Sequence, residues 1–201
     1  MKRSTIILLA VVGGLLIICL SLFGWGTGMY NSLVKLDETV NQAWAQVQNQ
    51  YQRRADLVPN LVETVKGYAQ HESQVFTDVA EARSSVGKLQ ITPDVLNNPQ
   101  AFQKFNEAQG VLSSALSRLM AVAENYPQLK ANENFLQLQS QLEGTENRIA
   151  VERRRFNEVV QDYNVKVRTF PTMIFAGIFG FSQKQYFQAE PGSEKTPKVQ
   201  F

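Results

Sequence analysis

The chain predicts an all-α protein: an N-terminal transmembrane helix, then an antiparallel up-down-up-down four-helix bundle with long helices, then an apolar C-terminal extension. Three observations carry this expectation. Between Arg3 and Lys35 no residue is charged, and residues 6–25 are almost purely apolar. Beyond them, apolar residues recur three and four apart in several long segments, the pattern of helices with one buried face. Prolines, glycines and asparagines gather between those segments, where the chain must turn. The expected division is a cytoplasmic flank and anchor over 1–27, a bundle over 28–169, and an apolar segment with its tail over 170–201.

About 20 helical residues rising about 1.5 Å each match a hydrocarbon core about 30 Å thick, and Ile6, Leu9, Ala10, Gly14, Leu16, Phe23 and Trp25 lie along this anchor. A cleaved signal peptide would have an apolar region of about 7 to 15 residues closed by a small-x-small site. The sequence around Phe23, Gly24, Trp25 and Gly26 offers no such site, so a retained anchor is expected. Ala10 and Gly14 form a small-xxx-small pair that permits close helix approach. Lys2 and Arg3 precede the span, whereas Lys35 beyond it is offset by Asp37 and Glu38. Positive flanks stay in the cytoplasm, which places the N-terminus inside and the body outside, with Trp25 and Tyr30 at the far interface.

Charge narrows the function. The chain has 20 basic and 18 acidic residues, so removing Lys2 and Arg3 leaves a neutral body of 18 against 18. A nucleic-acid partner would need a basic face to displace counterions. The single basic run, Arg153-Arg154-Arg155, is flanked by Glu152 and Glu158 and reads as a solvated helix face. Nucleic acid is therefore not expected as a partner. The single cysteine, Cys19, lies in the span, so no disulfide staples the body.

The helices follow from periodicity. From Phe135 every seventh residue is Leu142, Ile149, Phe156, Tyr163 and Phe170, which predicts one helix of about ten turns, with Asn132 as its cap. Before it, Phe105, Ala108, Leu112, Ala115, Leu119, Val122 and Tyr126 mark a helix closed by Pro127. Another is expected from Pro59 through Leu61, Val65, Val75, Val79 and Val86 to Gly87, and the first from Tyr30 through Leu33, Val40, Trp44 and Val47 to Tyr51. Residues 91–99 form a loop.

The junction Arg53, Arg54, Asp56, Pro59 and Asn60 crowds polar groups between the first two helices. Proline suits a first helical turn and breaks an interior. Either Asp56 caps a new helix after a tight reversal, the favoured expectation, or one helix kinks there. The guanidinium groups would then bond the last carbonyls of the preceding helix, or the cluster serves as a membrane-distal docking site.

The C-terminal segment 170–181 carries no charge and is too short to span a bilayer. It must bury itself against the bundle, a neighbouring chain or the membrane interface. Phe170, Met173, Ile174, Phe175, Ile178, Phe179 and Phe181, with Tyr186, Phe187, Val199 and Phe201 behind them, form a candidate assembly surface. The tail suits short strands pairing across subunits or a floppy end.

Motifs that carry chemistry are missing. His71 is the single histidine, so the HExxH zinc pattern cannot form. Glu72 and Glu152 fall on apolar stripes, where partial exposure or pairing accounts for them better than a metal does. No Gly-rich phosphate loop and no Gly-x-Ser-x-Gly elbow occurs. No catalytic residue, metal site or cofactor is expected, and the chain reads as a non-enzyme.

Residues 29–44, 52–69 and 132–150, Arg154-Arg155-Phe156-Asn157-Glu158, Tyr163-Asn164 and the stretch from Phe170-Pro171 to Tyr186-Phe187 together resemble the signature of the LemA family of bacterial membrane proteins. The resemblance implies a membrane-anchored helical bundle in the bacterial inner membrane and carries over no catalytic residues. Some members have a lipid-modified cysteine near the position of Trp25, and this chain does not. Two functions fit: a scaffolding element that self-associates as a homo-oligomer, or an adaptor that recruits another membrane or envelope protein such as a protease.

Overall fold

A computed structural model of the chain describes residues 3–89 and 93–188. Among these residues it is all-helical, with no strand. Helix α1 covers Arg3–Lys66, α2 Ser73–Gly87, α3 Pro99–Ala123, α4 Pro127–Lys130, α5 Glu133–Arg168 and α6 Thr172–Phe179, with a 3-10 turn at Pro93–Asn97. Residues 181–188 follow without regular secondary structure.

The expected reversal at Arg53 to Asn60 does not occur, because α1 runs unbroken through Pro59 for 64 residues. Interior proline leaves the carbonyl four residues earlier without its N–H donor. Here that carbonyl belongs to Ala55, and Nε of Arg83 on α2 donates to it at 3.2 Å. A side chain from another helix thus supplies the bond that Pro59 cannot. Asp56 caps nothing: its carboxylate accepts from Nε2 of Gln52 one turn earlier, at 2.7 Å on the exposed face. The turn instead falls at 67–72, and the segment expected as one helix from Pro59 to Gly87 is divided between the end of α1 and the whole of α2.

The other caps follow the sequence. The Asn98 side chain accepts from the backbone of Gln100 and Ala101, with Pro99 in the first turn of α3. Asn132 accepts from the Phe135 N–H at 3.0 Å and opens α5. On α5, Phe135, Leu142, Ile149, Phe156 and Tyr163 are all buried as their spacing requires, whereas Phe170 lies beyond the helix and is exposed.

Antiparallel α1 and α5 are the backbone of the fold. One apolar core lies far from the span, where Val58, Leu61 and Val65 meet Val79, Ala82, Leu112, Leu119 and Phe135. A second lies nearer the span, where Leu33, Val40, Trp44 and Val47 meet Phe102, Phe105, Ile149, Phe156 and Tyr163. Four long helices do not run side by side throughout: the buried residues of α2, Val79, Ala82 and Val86, all belong to the distal core. In the proximal core, Ala176 of α6 and Phe187 of the segment 181–188 pack against α1 and α5 instead.

Candidate functional site

Two polar constructions and one apolar surface distinguish this body from a plain helical stack. The first is a layer between the two cores. Arg54 on α1 lies one turn beyond Tyr51 of the proximal core and one turn before Val58 of the distal core, and its side chain is 2% exposed. Its guanidinium donates to Glu146 of α5 at 2.9 and 3.2 Å, to the Ser113 hydroxyl of α3 at 2.6 Å, and to the Gln109 side chain of α3. The guanidinium carbon also stands 5.1 Å from the centre of the Tyr51 ring. A buried charge is tolerated only when paired and hydrogen-bonded. Because the five guanidinium donors have fixed directions, this node locks the axial register of three helices at once. Of the junction residues, then, Arg54 is the one with tertiary partners here; Arg53, Asp56, Pro59 and Asn60 all face outward.

The second construction lies along α5. Asn164 donates from Nδ2 to the Lys184 carbonyl at 3.0 Å and accepts the Lys184 N–H on Oδ1 at 2.9 Å. Two turns earlier, Asn157 does the same for Phe187, with both bonds at 2.9 Å. Seven helical residues rise about 10 Å, as do three extended ones, so the two carboxamides match the strap 181–188 running antiparallel to α5. Side-chain amides here do what a neighbouring strand would do in a sheet.

The strap's own side chains are held as firmly. Lys184, 7% exposed, pairs with Asp37 of α1 at 2.9 Å, donates to Asn97 at 2.8 Å and lies over the Tyr163 ring. Phe187 enters the aromatic cluster of Trp44, Phe102 and Phe156, with centroids 5.1 to 5.9 Å apart, and the Arg153 guanidinium caps its outer face at 4.5 Å. Burial, and then the Asp37 charge, push the Tyr163 hydroxyl well above its ordinary pKa of 10.0. Phe187 and half-buried Phe181 thus lie inward, which removes them from a free assembly surface. Tyr186 stays exposed, and Val199 and Phe201 lie outside the described residues.

The apolar surface is α6. Gly180, at φ +77°, takes the left-handed conformation that ends the helix, and the Phe181 N–H reaches back to the Ala176 carbonyl at 2.9 Å. Thr172 and Ala176 face inward, with the Thr172 hydroxyl on Met29 Sδ at 3.3 Å. Phe175 packs edge-on against Trp25 at 5.3 Å, and Phe179 and Phe181 against Tyr30 at 5.0 and 5.9 Å. Phe170, Met173, Ile174 and Ile178 face outward at 51 to 73% exposure.

In the anchor, Leu9, Gly14, Leu16, Phe23 and Trp25 are all exposed, and the side chains of Ile6 and Ala10 lie outside the described residues. The N-terminal part of α1 is long and apolar enough to cross a membrane. Among the described residues no cluster of His, Cys, Asp or Glu could hold a metal. Glu72 accepts from the Tyr126 hydroxyl at 3.3 Å. Burial, then the Glu72 charge and this bond, raise the Tyr126 pKa.

The LemA family model matches residues 43–201, most of the chain. The chain belongs to the LemA family. Its sequence is 28% identical over 195 residues to magnetosome protein MamQ of Magnetospirillum gryphiswaldense, covering 85% of this chain and 70% of that protein. It is 27% identical over 192 residues to MamQ 2 of Paramagnetospirillum magneticum, covering 85% and 68%. Protein LemA of Metamycoplasma hominis is 22% identical over 162 residues, covering 81% and 70%. A membrane-associated helical protein of this family is what the anchor, the fold and the relatives jointly support.

Asn157, Asn164 and Lys184 are the residues that sequence reasoning missed. The signal was present: two asparagines seven apart, each beside a core position of α5, can face the interior only if something polar meets them there. Gln109, Thr145 and Glu146 likewise interrupt apolar stripes at one level on two helices.

Proposed function

We propose that the protein is a non-enzymatic structural element that crosses the bacterial inner membrane once, keeps its N-terminus in the cytoplasm and self-associates as a scaffold on the outer side. The observation that carries this reading is the continuity of α1: span and body are one helix, braced by α5 back to the level of the membrane. A body coupled in this way cannot swivel on its anchor, so neighbours in one bilayer present their flanks at the same height and angle. Confinement to a plane raises their effective concentration, and fixed orientation lowers the entropy lost on contact. Leu136, Val151 and Val165, each about half exposed, lie on one outward face of α5 along its length and offer a lateral contact.

Cysteines at Val151 and Val165, in a Cys19→Ser background, test this. Crosslinked dimers and larger species are expected in native membranes, together with an oligomeric mass after extraction. A chain that stays monomeric by mass and yields no crosslink would overturn self-association. A Gln128→Cys variant labelled by a membrane-impermeant reagent in intact spheroplasts would support the topology, and labelling only after lysis would reverse it.

A second reading, as an adaptor, is favoured by one observation. A groove of about 900 Å³ opens between α3 and α5 beside the polar layer, bordered by Tyr51, Arg54, Phe102, Gln109, Arg153 and Tyr186. Gln109 Nε2 and Arg153 Nε are buried donors with no hydrogen-bond partner among the described residues. An extended segment of another envelope protein fits such a groove. A photo-crosslinking residue at Asn106 distinguishes the readings, since a scaffold alone would yield only copies of this chain.

A further inference from the structure

The outer face of α6 is unusual for where it sits. Thr172 is the only polar side chain in the helix, and it is turned inward. A soluble surface helix keeps its polar residues outward; α6 has none to offer, and Met173, Ile174 and Ile178 fill that face, continued by Phe170 just before it. In water, so much contiguous apolar surface is a liability.

Its position identifies what covers it. The first turn of α6 meets α1 at Met29 and its last turn meets α1 at Tyr30, so the two ends stand at nearly the same height on α1. The helix therefore lies across α1 and not along it. Between these ends Phe175 reaches down to Trp25 and Gly26, the last part of the apolar span. A helix crossing a membrane-spanning helix at its interfacial end lies roughly in the plane of the bilayer. Directly before it, the last turn of α5 carries Lys166 and Arg168, and Lys35 stands just above Tyr30 on α1. Basic side chains at this level suit the phosphates of lipid headgroups, and aromatic residues such as Trp25 and Tyr30 mark the same boundary.

We propose that α6 is a second membrane contact: an in-plane helix whose outer face, formed by Met173, Ile174 and Ile178 and continued by Phe170 just before it, enters the acyl region of the leaflet on the body's side, with Lys166 and Arg168 at the headgroups. Interfacial helices of this kind bury one apolar face about 5 to 10 Å into the boundary region. The span alone fixes the depth of the body relative to the membrane. A helix held beside it in the plane gives the body one face that always lies against lipid. The inference is independent of self-association, since a monomer would bury the same face.

The full chain, with Cys19→Ser, is reconstituted into phosphatidylglycerol-containing liposomes carrying an environment-sensitive fluorophore on Ile178→Cys or, as reference, on Gln128→Cys. The label at 178 is expected to emit at shorter wavelength and to be quenched by lipids spin-labelled on the upper acyl chain, several-fold more than the label at 128, while resisting aqueous iodide. Adding Ile174→Ser and Met173→Ser should reduce the lipid quenching with the helical signal and melting temperature retained. Iodide quenching of the label at 178 without lipid quenching would overturn the proposal. So would efficient disulfide crosslinking between neighbouring chains of the unlabelled Ile178→Cys variant in the absence of lipid quenching, which would make the face a contact between copies.

Discussion

Asn164 and Lys184 exchange two hydrogen bonds, carboxamide to backbone, at 3.0 and 2.9 Å in the interior of the protein. Removing the carboxamide strands an N–H and a carbonyl where water is scarce, and each unsatisfied group costs about 1 to 3 kcal/mol. Asn164→Ala should therefore destabilise the folded chain by about 2 to 6 kcal/mol. Asn164→Asp can still accept but cannot donate, and should lose at least half as much. Denaturant melts with unchanged slope would measure both; equal stability of the alanine variant and the parent would mean the strap is not held this way.

Arg54 joins α1, α3 and α5 through one guanidinium. Arg54→Ala leaves buried acceptors without a donor and should cost about 3 to 5 kcal/mol. Arg54→Lys should recover little, because one ammonium cannot reproduce the fixed fork that reaches Glu146, Ser113 and Gln109 together. Glu146→Gln should be milder, since the side chain of Glu146 is 38% exposed and water screens its charge. An Arg54→Lys variant as stable as the parent would show that charge alone, without direction, matters at this node.

Pro59 and Arg83 are coupled through the Ala55 carbonyl. Pro59→Ala restores the helical N–H donor, so it should be neutral or stabilising and should make Arg83 dispensable. Arg83→Ala is expected to cost about 0.5 to 1.5 kcal/mol with Pro59 in place and much less in the Pro59→Ala background. A double-mutant cycle reads the difference directly, and a coupling energy of zero would break the link. Asp56→Ala, which removes only an exposed one-turn contact, should cost no more than about 0.5 kcal/mol.

Tyr163 gives the fold an alkaline limit. Its folded pKa is raised above the ordinary 10.0, so the folded state favours the neutral phenol. The associated stability is complete below about pH 10 and is lost as pH rises toward the folded value. Tyr163→Phe should shift alkaline unfolding to higher pH while leaving stability at pH 7 nearly unchanged. Identical alkaline transitions in the two proteins would assign the limit to other groups.

Much of the architecture was legible, and the exceptions share a cause. The heptad from Phe135 to Tyr163 and the Asn132 cap are local signals, and α5 begins and runs as they direct. Continuity of α1 was not legible, because what rescues Pro59 is Arg83, brought alongside only by the turn at 67–72 and α2. Alternating residues in the tail suggested strands, yet residues 181–188 find their partners in two side chains of a helix and not in another backbone. Arg54 stood in a recognised polar cluster, but its role depends on Gln109, Ser113 and Glu146 arriving at one level from two other helices. The anchor and α6 were recognised as apolar; that α6 lies across α1 depends on the tertiary meeting of Thr172 with Met29 and Phe179 with Tyr30.

An unbroken α1 also makes the body a lever. From Trp25 to Lys66 the helix rises roughly 60 Å, so a change of about 10° in the tilt of the span would carry the far tip sideways by roughly 10 Å. Bilayers of different thickness impose tilt changes of this order on apolar helices. In the proposed membrane-spanning arrangement, the distal turn at 67–72 would move with the tilt of the span.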